Sequence, residues 1–201
     1  MKESIKQNKL VYIDTQENFI DGATVNQVGG KNFEISKKYI DEIYGITDGK
    51  TCENILELYE KDGIIVEPAG ALPFGILDKI KNKIENKKVV IVISGGNNDV
   101  SRYPEIKEKY LRYKNLKNYY IVKFNQNPGQ LKNFINNVLG ENDDICRFEY
   151  IKKTNKEYGN VLIGIQTNDP RNYQMIDTKL KQNLFEFTKI DENELIYSYL
   201  I

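Results

Sequence analysis

The chain has 201 residues, with 29 lysines and arginines balanced by 29 aspartates and glutamates, and it contains no histidine. A formal net charge of zero leaves no electrostatic footprint for nucleic acid or an anionic membrane surface, so the expected partner is a small molecule or another protein. Without imidazole, Ser-His-Asp and Cys-His schemes and HExxH metal sites are excluded, and any chemistry must run on carboxylates, lysine, tyrosine or a cofactor.

The opening residues, Met1-Lys2-Glu3-Ser4-Ile5-Lys6, have no secretory apolar core, and no apolar run approaches the roughly 18 residues of a membrane span. The chain therefore reads as cytoplasmic. Cys52 and Cys146 are too few for a disulfide framework or a metal cluster and read as small buried residues. Up to about Tyr110 helices alternate with short apolar strands. Phe33, Ile35, Tyr39, Ile40 and Ile43 mark one helix; Ile55, Leu56 and Tyr59 mark a second, closed by Gly63 as a left-handed cap. Ile64-Ile65-Val66 reads as a short strand. Beyond the Glu67-Pro68-Ala69-Gly70 turn, Leu72, Ile76, Leu77, Ile80 and Ile84 share one helical face.

Residues 88–93, an unbroken β-branched run, read as a strand buried on both faces of a parallel sheet and ending at Ser94-Gly95-Gly96-Asn97. Helix, strand, helix, strand is the grammar of an α/β sheet, although two strands make a sheet too small to cover itself. Ligands in such sheets sit beyond the carboxyl ends of the strands. The Ser94 hydroxyl, followed by two residues whose bare backbone can approach a bound group, is thus a candidate cofactor contact. A Gly-rich turn leaving a core strand accounts for the same residues.

From about Leu116 the pattern changes. Residues 118–125 read as a strand; Asn127-Pro128-Gly129 opens a helix with Asn127 as N-cap and Pro128 at its first position, and Leu131, Phe134, Ile135, Val138 and Leu139 line its face up to Gly140. Residues 145–153 and 161–167 are strands of an antiparallel hairpin joined by the polar turn 154–160. Asp169-Pro170 repeats the cap-plus-proline start, with Tyr173, Ile176 and Leu180 on the buried face, and 195–200 forms a last strand. The order β-α-β-β-α-β is the ferredoxin-like split βαβ unit, an α+β arrangement. A linker at 111–117 gives two domains, 1–113 and 114–201.

Several runs, taken in order, resemble threonine dehydratase of the short, biosynthetic, pyridoxal-phosphate-dependent kind. They are Phe19-Ile20-Asp21-Gly22-Ala23-Thr24-Val25 with Val28-Gly29; Phe33-Glu34-Ile35; Ile55-Leu56-Glu57-Leu58-Tyr59; Val66-Glu67-Pro68-Ala69-Gly70-Ala71-Leu72; Ser94-Gly95-Gly96-Asn97-Asn98-Asp99; and Gly140 to Asp144 with Arg147-Phe148-Glu149-Tyr150. The resemblance implies an incomplete fold-type-II pyridoxal-phosphate catalytic domain followed by an ACT-like regulatory domain. It implies the reaction too: L-threonine to 2-oxobutanoate and ammonia, in isoleucine biosynthesis. Under it Ser94 hydrogen-bonds the pyridine nitrogen of pyridoxal phosphate, Glu67 approaches cofactor and substrate, and Asp21 and Gly22 lie on a loop facing the same cavity. A neutral hydroxyl leaves the ring a weaker electron sink than an aspartate would, which suits β-elimination. Read from the residues alone, Glu67 is better taken as an N-cap for the helix starting at Ala69.

The family's cofactor-bearing lysine, in a serine-x-x-lysine-type motif, and its phosphate-cradling glycine run have no counterpart here; Gly29-Gly30 is too short to be that run. The family's cation site lies upstream as well, so no metal ligand is assigned. Met1 matches an internal methionine of the longer family pattern. The chain is expected to be inactive alone, as a fragment, a disrupted gene product or one half of a split enzyme whose partner would be a separate amino-terminal half, and to form homo-oligomers. A function of a different class stays open: a free-standing ACT-like regulator binding isoleucine or valine at Asn127-Pro128-Gly129-Gln130, where a helix N-terminus favours a carboxylate. Relief of crowding at that helix start accounts for Gly129 as well. A third reading is an oligomerisation module with Tyr197 and Tyr199 along a sheet edge.

Overall fold

The structure, a computed structural model, describes residues 1–14, 19–152, 156–191 and 200. Two units divide the chain, Met1–Tyr110 and Leu111–Ile201.

Helices carry the first unit: α1 (Lys2–Gln7), α2 (Gly30–Tyr39), α3 (Asp48–Asp62), α4 (Pro68–Ala71) and α5 (Leu77–Ile84), with α6 (Tyr103–Tyr113) running through its end. The amphipathic α3 is the centre. Thr47 Oγ1 accepts from the Lys50 N–H to start it, and Gly63 at φ 65 closes it in the left-handed region, as its sequence predicts. Its buried Cys52, Ile55 and Leu58 pack on Val66, Ala71 and Ile106, with Phe19 and Ile20. Asn54 Nδ2 donates to the Ala71 carbonyl at 3.2 Å, tying α3 to the end of α4. Residues 72–84 do not form the single helix expected. Pro73, which has no N–H and crowds the preceding turn, falls in a 3-10 stretch (Leu72–Ile76) that separates α4 from α5. Along α2 only Phe33 is buried, while Ile35, Tyr39 and Ile40 face solvent.

Neither expected strand of this unit forms. Residues 64–66 and 88–93 have no ladder, and Val90 is 89% exposed and Val92 70%. A β-branched run becomes a strand only where a neighbour matches its N–H and C=O groups, and among the described residues of this unit no strand does so. The α/β expectation for the first half is corrected accordingly: helices with two irregular apolar segments.

The second unit is a four-stranded sheet with helices: β1 (Lys117–Asn125), α7 (Gln130–Val138), β2 (Asp144–Tyr150), β3 (Tyr158–Gln166), α8 (Asn172–Gln182) and β4 (Glu186–Lys189). The strand order is β2-β3-β1-β4 and every pair is antiparallel. Alternate residues of β1, Tyr120, Val122 and Phe124, point into one core with Val161, Ile163 and Ile165 of β3, and α7 and α8 cover them with Phe134, Val138, Tyr173, Ile176 and Leu180. Two phenols enter this core with partners. Tyr120 donates to Asp177 Oδ1 at 3.0 Å and Tyr173 to the Ile165 carbonyl at 2.6 Å, and burial pushes both hydroxyls above the ordinary tyrosine range.

Four details differ from the sequence reading. Asn127 caps nothing: its N–H donates to Asn125 Oδ1 at 3.0 Å, and α7 starts later, at Gln130, behind Gly129 at φ 92. Asp169 likewise closes a local turn, accepting from the Arg171 N–H at 2.9 Å, before α8 begins at Asn172. Short polar side chains satisfied within two residues do not reach the helix N–H groups. Cys146 is exposed, because it is the extra residue where the β2–β3 register slips between Ile145 and Arg147. The fourth strand of the sheet is Glu186–Lys189, paired with β1 through Tyr120↔Lys189 and Val122↔Phe187. Of the strand expected at 195–200, only Leu200 is described; its carbonyl accepts from Arg147 Nη1 at 3.0 Å. Tyr197 and Tyr199 lie outside the described residues, as do 154 and 155 of the hairpin turn.

Candidate functional site

Glu67 stands where segment 64–66 turns into α4. Its backbone is extended, at φ −72 and ψ 159, and Pro68 supplies the fixed φ of the first helical position. The Glu67 carbonyl accepts from the Ala71 N–H at 3.1 Å, so the backbone starts the helix. The side chain does not cap it. Among the described residues this half-buried carboxylate accepts no hydrogen bond and forms no ion pair, which removes the capping role that the residues alone allowed.

What surrounds the carboxylate is backbone without side chains. The Glu67 N–H donates to the Gly95 carbonyl at 3.2 Å, and Gly95 sits at φ 68, where a Cβ would overlap the Glu67 carboxyl group. On the other flank a Cβ on Gly22 would stand 3.2 Å from Ala69 Cβ and 4.0 Å from Glu67 Oε1. Beneath, Gly70 packs so closely that a Cβ there would overlap the Ser94 carbonyl oxygen. Glu67, Gly22 and the exposed Ser94–Gly95 turn thus converge on one spot. Asp21 is turned away from it: its Oδ1 accepts from the Gly22 N–H at 2.8 Å and lies 3.8 Å from Arg102 Nη1, while Arg102 Nη2 donates to the Phe19 carbonyl at 2.7 Å. Asp21 and Arg102 hold the loop that carries Gly22.

Asn98 is a member of this site to which sequence reasoning gave no role. Its N–H donates to Gly96 at 2.9 Å and its Nδ2 to the Val66 carbonyl at 3.1 Å, clamping the serine–glycine turn beside Glu67. Asn98 Oδ1 is buried without a hydrogen-bond partner among the described residues. Its only sequence signal is its place directly after Ser94-Gly95-Gly96-Asn97. Cys52 is no rival nucleophile, since burial pushes its thiol up to about 12. In the second unit the Asn127-Pro128-Gly129 turn is exposed, Gln130 is half-buried, and Gly129 faces open space. Among the described residues no cluster of His, Cys, Asp or Glu could hold a metal ion, and no helix is long and apolar enough to cross a membrane.

Two sequence families match successive parts of the chain. Residues 1–95 match the family described as pyridoxal-phosphate dependent enzyme, and residues 108–200 match the C-terminal regulatory domain of threonine dehydratase. The L-threonine dehydratase biosynthetic IlvA of Halalkalibacterium halodurans is 46% identical over 201 residues, 100% of this chain and 48% of that protein. Along its whole length the chain is a relative of the biosynthetic threonine dehydratases. The corresponding dehydratase of Staphylococcus saprophyticus is 44% identical, over 98% of this chain and 47% of that protein. The chain therefore spans about half the length of these curated dehydratases. Among solved structures, the processed form of threonine deaminase isoform 2 from Solanum lycopersicum superposes with a TM-score of 0.51 at 25% identity, over 54% of this chain and 30% of that one.

Proposed function

We propose that the chain is the carboxy-terminal portion of a pyridoxal-phosphate-dependent threonine dehydratase, a lyase that converts L-threonine to 2-oxobutanoate and ammonia. Residues 1–113 supply one wall of the cofactor and substrate pocket, and residues 114–201 form a ferredoxin-like, ACT-like regulatory domain, a reading supported by the antiparallel order β2-β3-β1-β4. The observation that carries the proposal is the Glu67 carboxylate, without a partner among the described residues and facing the bare backbone of Gly95 and Gly22 beside Ser94.

The donors present fit one edge of pyridoxal phosphate: an exposed hydroxyl at Ser94 for the pyridine nitrogen, and a flat glycine backbone next to it. When bound, that group supplies an electron sink for the substrate's α-carbon. Ser94 orients the ring as a neutral hydrogen-bond partner. Glu67 holds or accepts a proton at its carboxylate oxygens, and the Asp21–Arg102 pair fixes the loop bearing Gly22 against it. No described lysine is hydrogen-bonded or ion-paired to Glu67 or Ser94, so the covalent tether falls to the amino-terminal portion that the relatives carry. Cytoplasmic residence and a homo-oligomeric enzyme accord with this reading.

The test is turnover. Given pyridoxal phosphate and L-threonine, this chain alone and the amino-terminal portion of the Halalkalibacterium halodurans dehydratase alone should each form no 2-oxobutanoate, while the two together should. Activity of the chain alone would overturn its assigned dependence; a folded but silent mixture would overturn the dehydratase reading.

For the second unit we propose an amino-acid effector, isoleucine or valine, at Asn127, Pro128, Gly129 and Gln130. Support comes from the open, left-handed Gly129 directly before α7, where a carboxylate can approach the first N–H groups. At about 100 times its Kd a ligand stabilises the native state by about 2.7 kcal/mol. Millimolar isoleucine or valine should therefore raise the thermal midpoint of this chain by several degrees, and no shift with either would retire the effector site.

A further inference from the structure

The Asn98 side chain keeps a hydrogen bond at one end of its amide and lacks one at the other. Its Nδ2 donates to the Val66 carbonyl at 3.1 Å, while Oδ1 is buried with no partner among the described residues. Turning the amide over would set Oδ1 against the Val66 carbonyl oxygen, acceptor against acceptor, so that one donation fixes which way the side chain points. A buried acceptor left unsatisfied is costly, and an apolar side chain of the same size would avoid that cost. What only the amide supplies is the tie to Val66.

That tie joins the two segments that carry the candidate site. Val66 directly precedes Glu67, and the Asn98 N–H donates at 2.9 Å to the Gly96 carbonyl, two residues beyond Ser94. Apart from Asn98, one main-chain bond connects the segments among the described residues, from the Glu67 N–H to the Gly95 carbonyl at 3.2 Å. The fit leaves little slack, since a Cβ on Gly95 would overlap the Glu67 carboxyl group and one on Gly70 the Ser94 carbonyl oxygen. Asn98 is also anchored downstream. Asp99 Oδ1 accepts from the Ser101 N–H at 2.8 Å to start the 3-10 turn Val100–Arg102, and Arg102 Nη2 donates to the Phe19 carbonyl at 2.7 Å.

We propose that Asn98 is a positioning residue that sets the spacing between the Ser94 turn and Glu67, and with it the alignment of a pyridoxal-phosphate ring to the carboxylate that moves the proton. The inference rests on the dehydratase reading for its chemistry, while its geometry stands on this chain alone. Asn98 acts through backbone: it bears on Glu67 by way of the Val66 carbonyl and on Ser94 by way of the Gly96 carbonyl. A slip of about 1 Å between the two segments is enough to lower the rate about 100-fold.

Two substitutions test it. Asn98→Asp keeps the size of the side chain but puts an acceptor where the donor stood, and Asn98→Leu keeps the size and removes both. In this chain by itself each should speed hydrogen exchange of the Glu67 amide at least about tenfold, while the amide of Ile55, buried in α3, keeps its parent rate. With the amino-terminal portion of the Halalkalibacterium halodurans dehydratase added, each should weaken pyridoxal-phosphate binding about tenfold by absorbance titration. Each should also lower kcat about 100-fold and leave the KM for L-threonine within about twofold. Val100→Ala, at an exposed position nearby, should change none of these. An unaltered Glu67 amide in both variants would overturn the proposal, and so would equal acceleration at Ile55, which would make Asn98 a general support of the unit. A loosened Glu67 amide with parent-like kcat and cofactor affinity would overturn it too. If the parent pair forms no 2-oxobutanoate, the dehydratase reading falls, and the Glu67 amide still decides whether Asn98 sets the spacing.

Discussion

Glu67→Gln will lower kcat of the reconstituted dehydratase by about 10²–10⁴-fold, the range that a positioned general acid or base contributes. The substitution keeps shape and hydrogen-bonding size but replaces the carboxylate by an amide that cannot serve as a general acid or base. Because the carboxylate has no structural partner among the described residues, no ion pair is broken and no donor is orphaned. The thermal midpoint and the KM for L-threonine should therefore stay near those of the parent. A fall in stability with kcat preserved would assign Glu67 to packing against Gly95. An unchanged kcat would remove it from the chemistry.

Phe124→Ala will destabilise the second unit by about 3–5 kcal/mol, measured as a lower urea midpoint with little change in slope. Phe124 is fully buried on the inner face of β1, and its ring centroid lies 5.3 Å from that of Phe185, 5.6 Å from Phe134 and 5.9 Å from Tyr150. Those rings come from α7, β2 and the turn before β4, so truncation opens a cavity that no single side chain can fill. Against a typical total of about 5–15 kcal/mol, that loss leaves the unit marginal. Ile135→Ala, on the exposed side of α7, should cost within about 0.5 kcal/mol. Equal effects at the two positions would mean that the aromatic cluster is not what holds the sheet to its helices.

Both predictions depend on placement, and the chain differs in how much of its placement it announces. Ile55, Leu56 and Tyr59 with Gly63 behind them marked α3, although Tyr59 faces solvent and Leu58 is buried in its place, while Tyr173, Ile176 and Leu180 marked α8 by the face that is buried. The hairpin of β2 and β3 was legible because polar residues interrupt two apolar runs. Strand β4 was harder. Phe185 and Phe187 alternate with polar residues for only four positions, too short for periodicity to separate from a turn, and the strand exists because β1 offers it an open side.

Composition and local pattern alone excluded histidine chemistry, located α3, α7, α8 and the β2–β3 hairpin, and carried the resemblance to threonine dehydratase, because each rests on residue identity or on spacing within one element. Only the tertiary structure decided that Val89, Val90, Val92 and Ile93 lie exposed instead of buried, that Asn127 and Asp169 serve turns instead of helices, that Cys146 faces out at a bulge, and that Glu67 finds no partner among the described residues between Gly22 and Gly95. The reason is common to all four. Whether a strand pairs, a cap reaches its N–H, or a carboxylate finds a donor depends on which other segment arrives alongside, and that is a property of packing at long range along the chain.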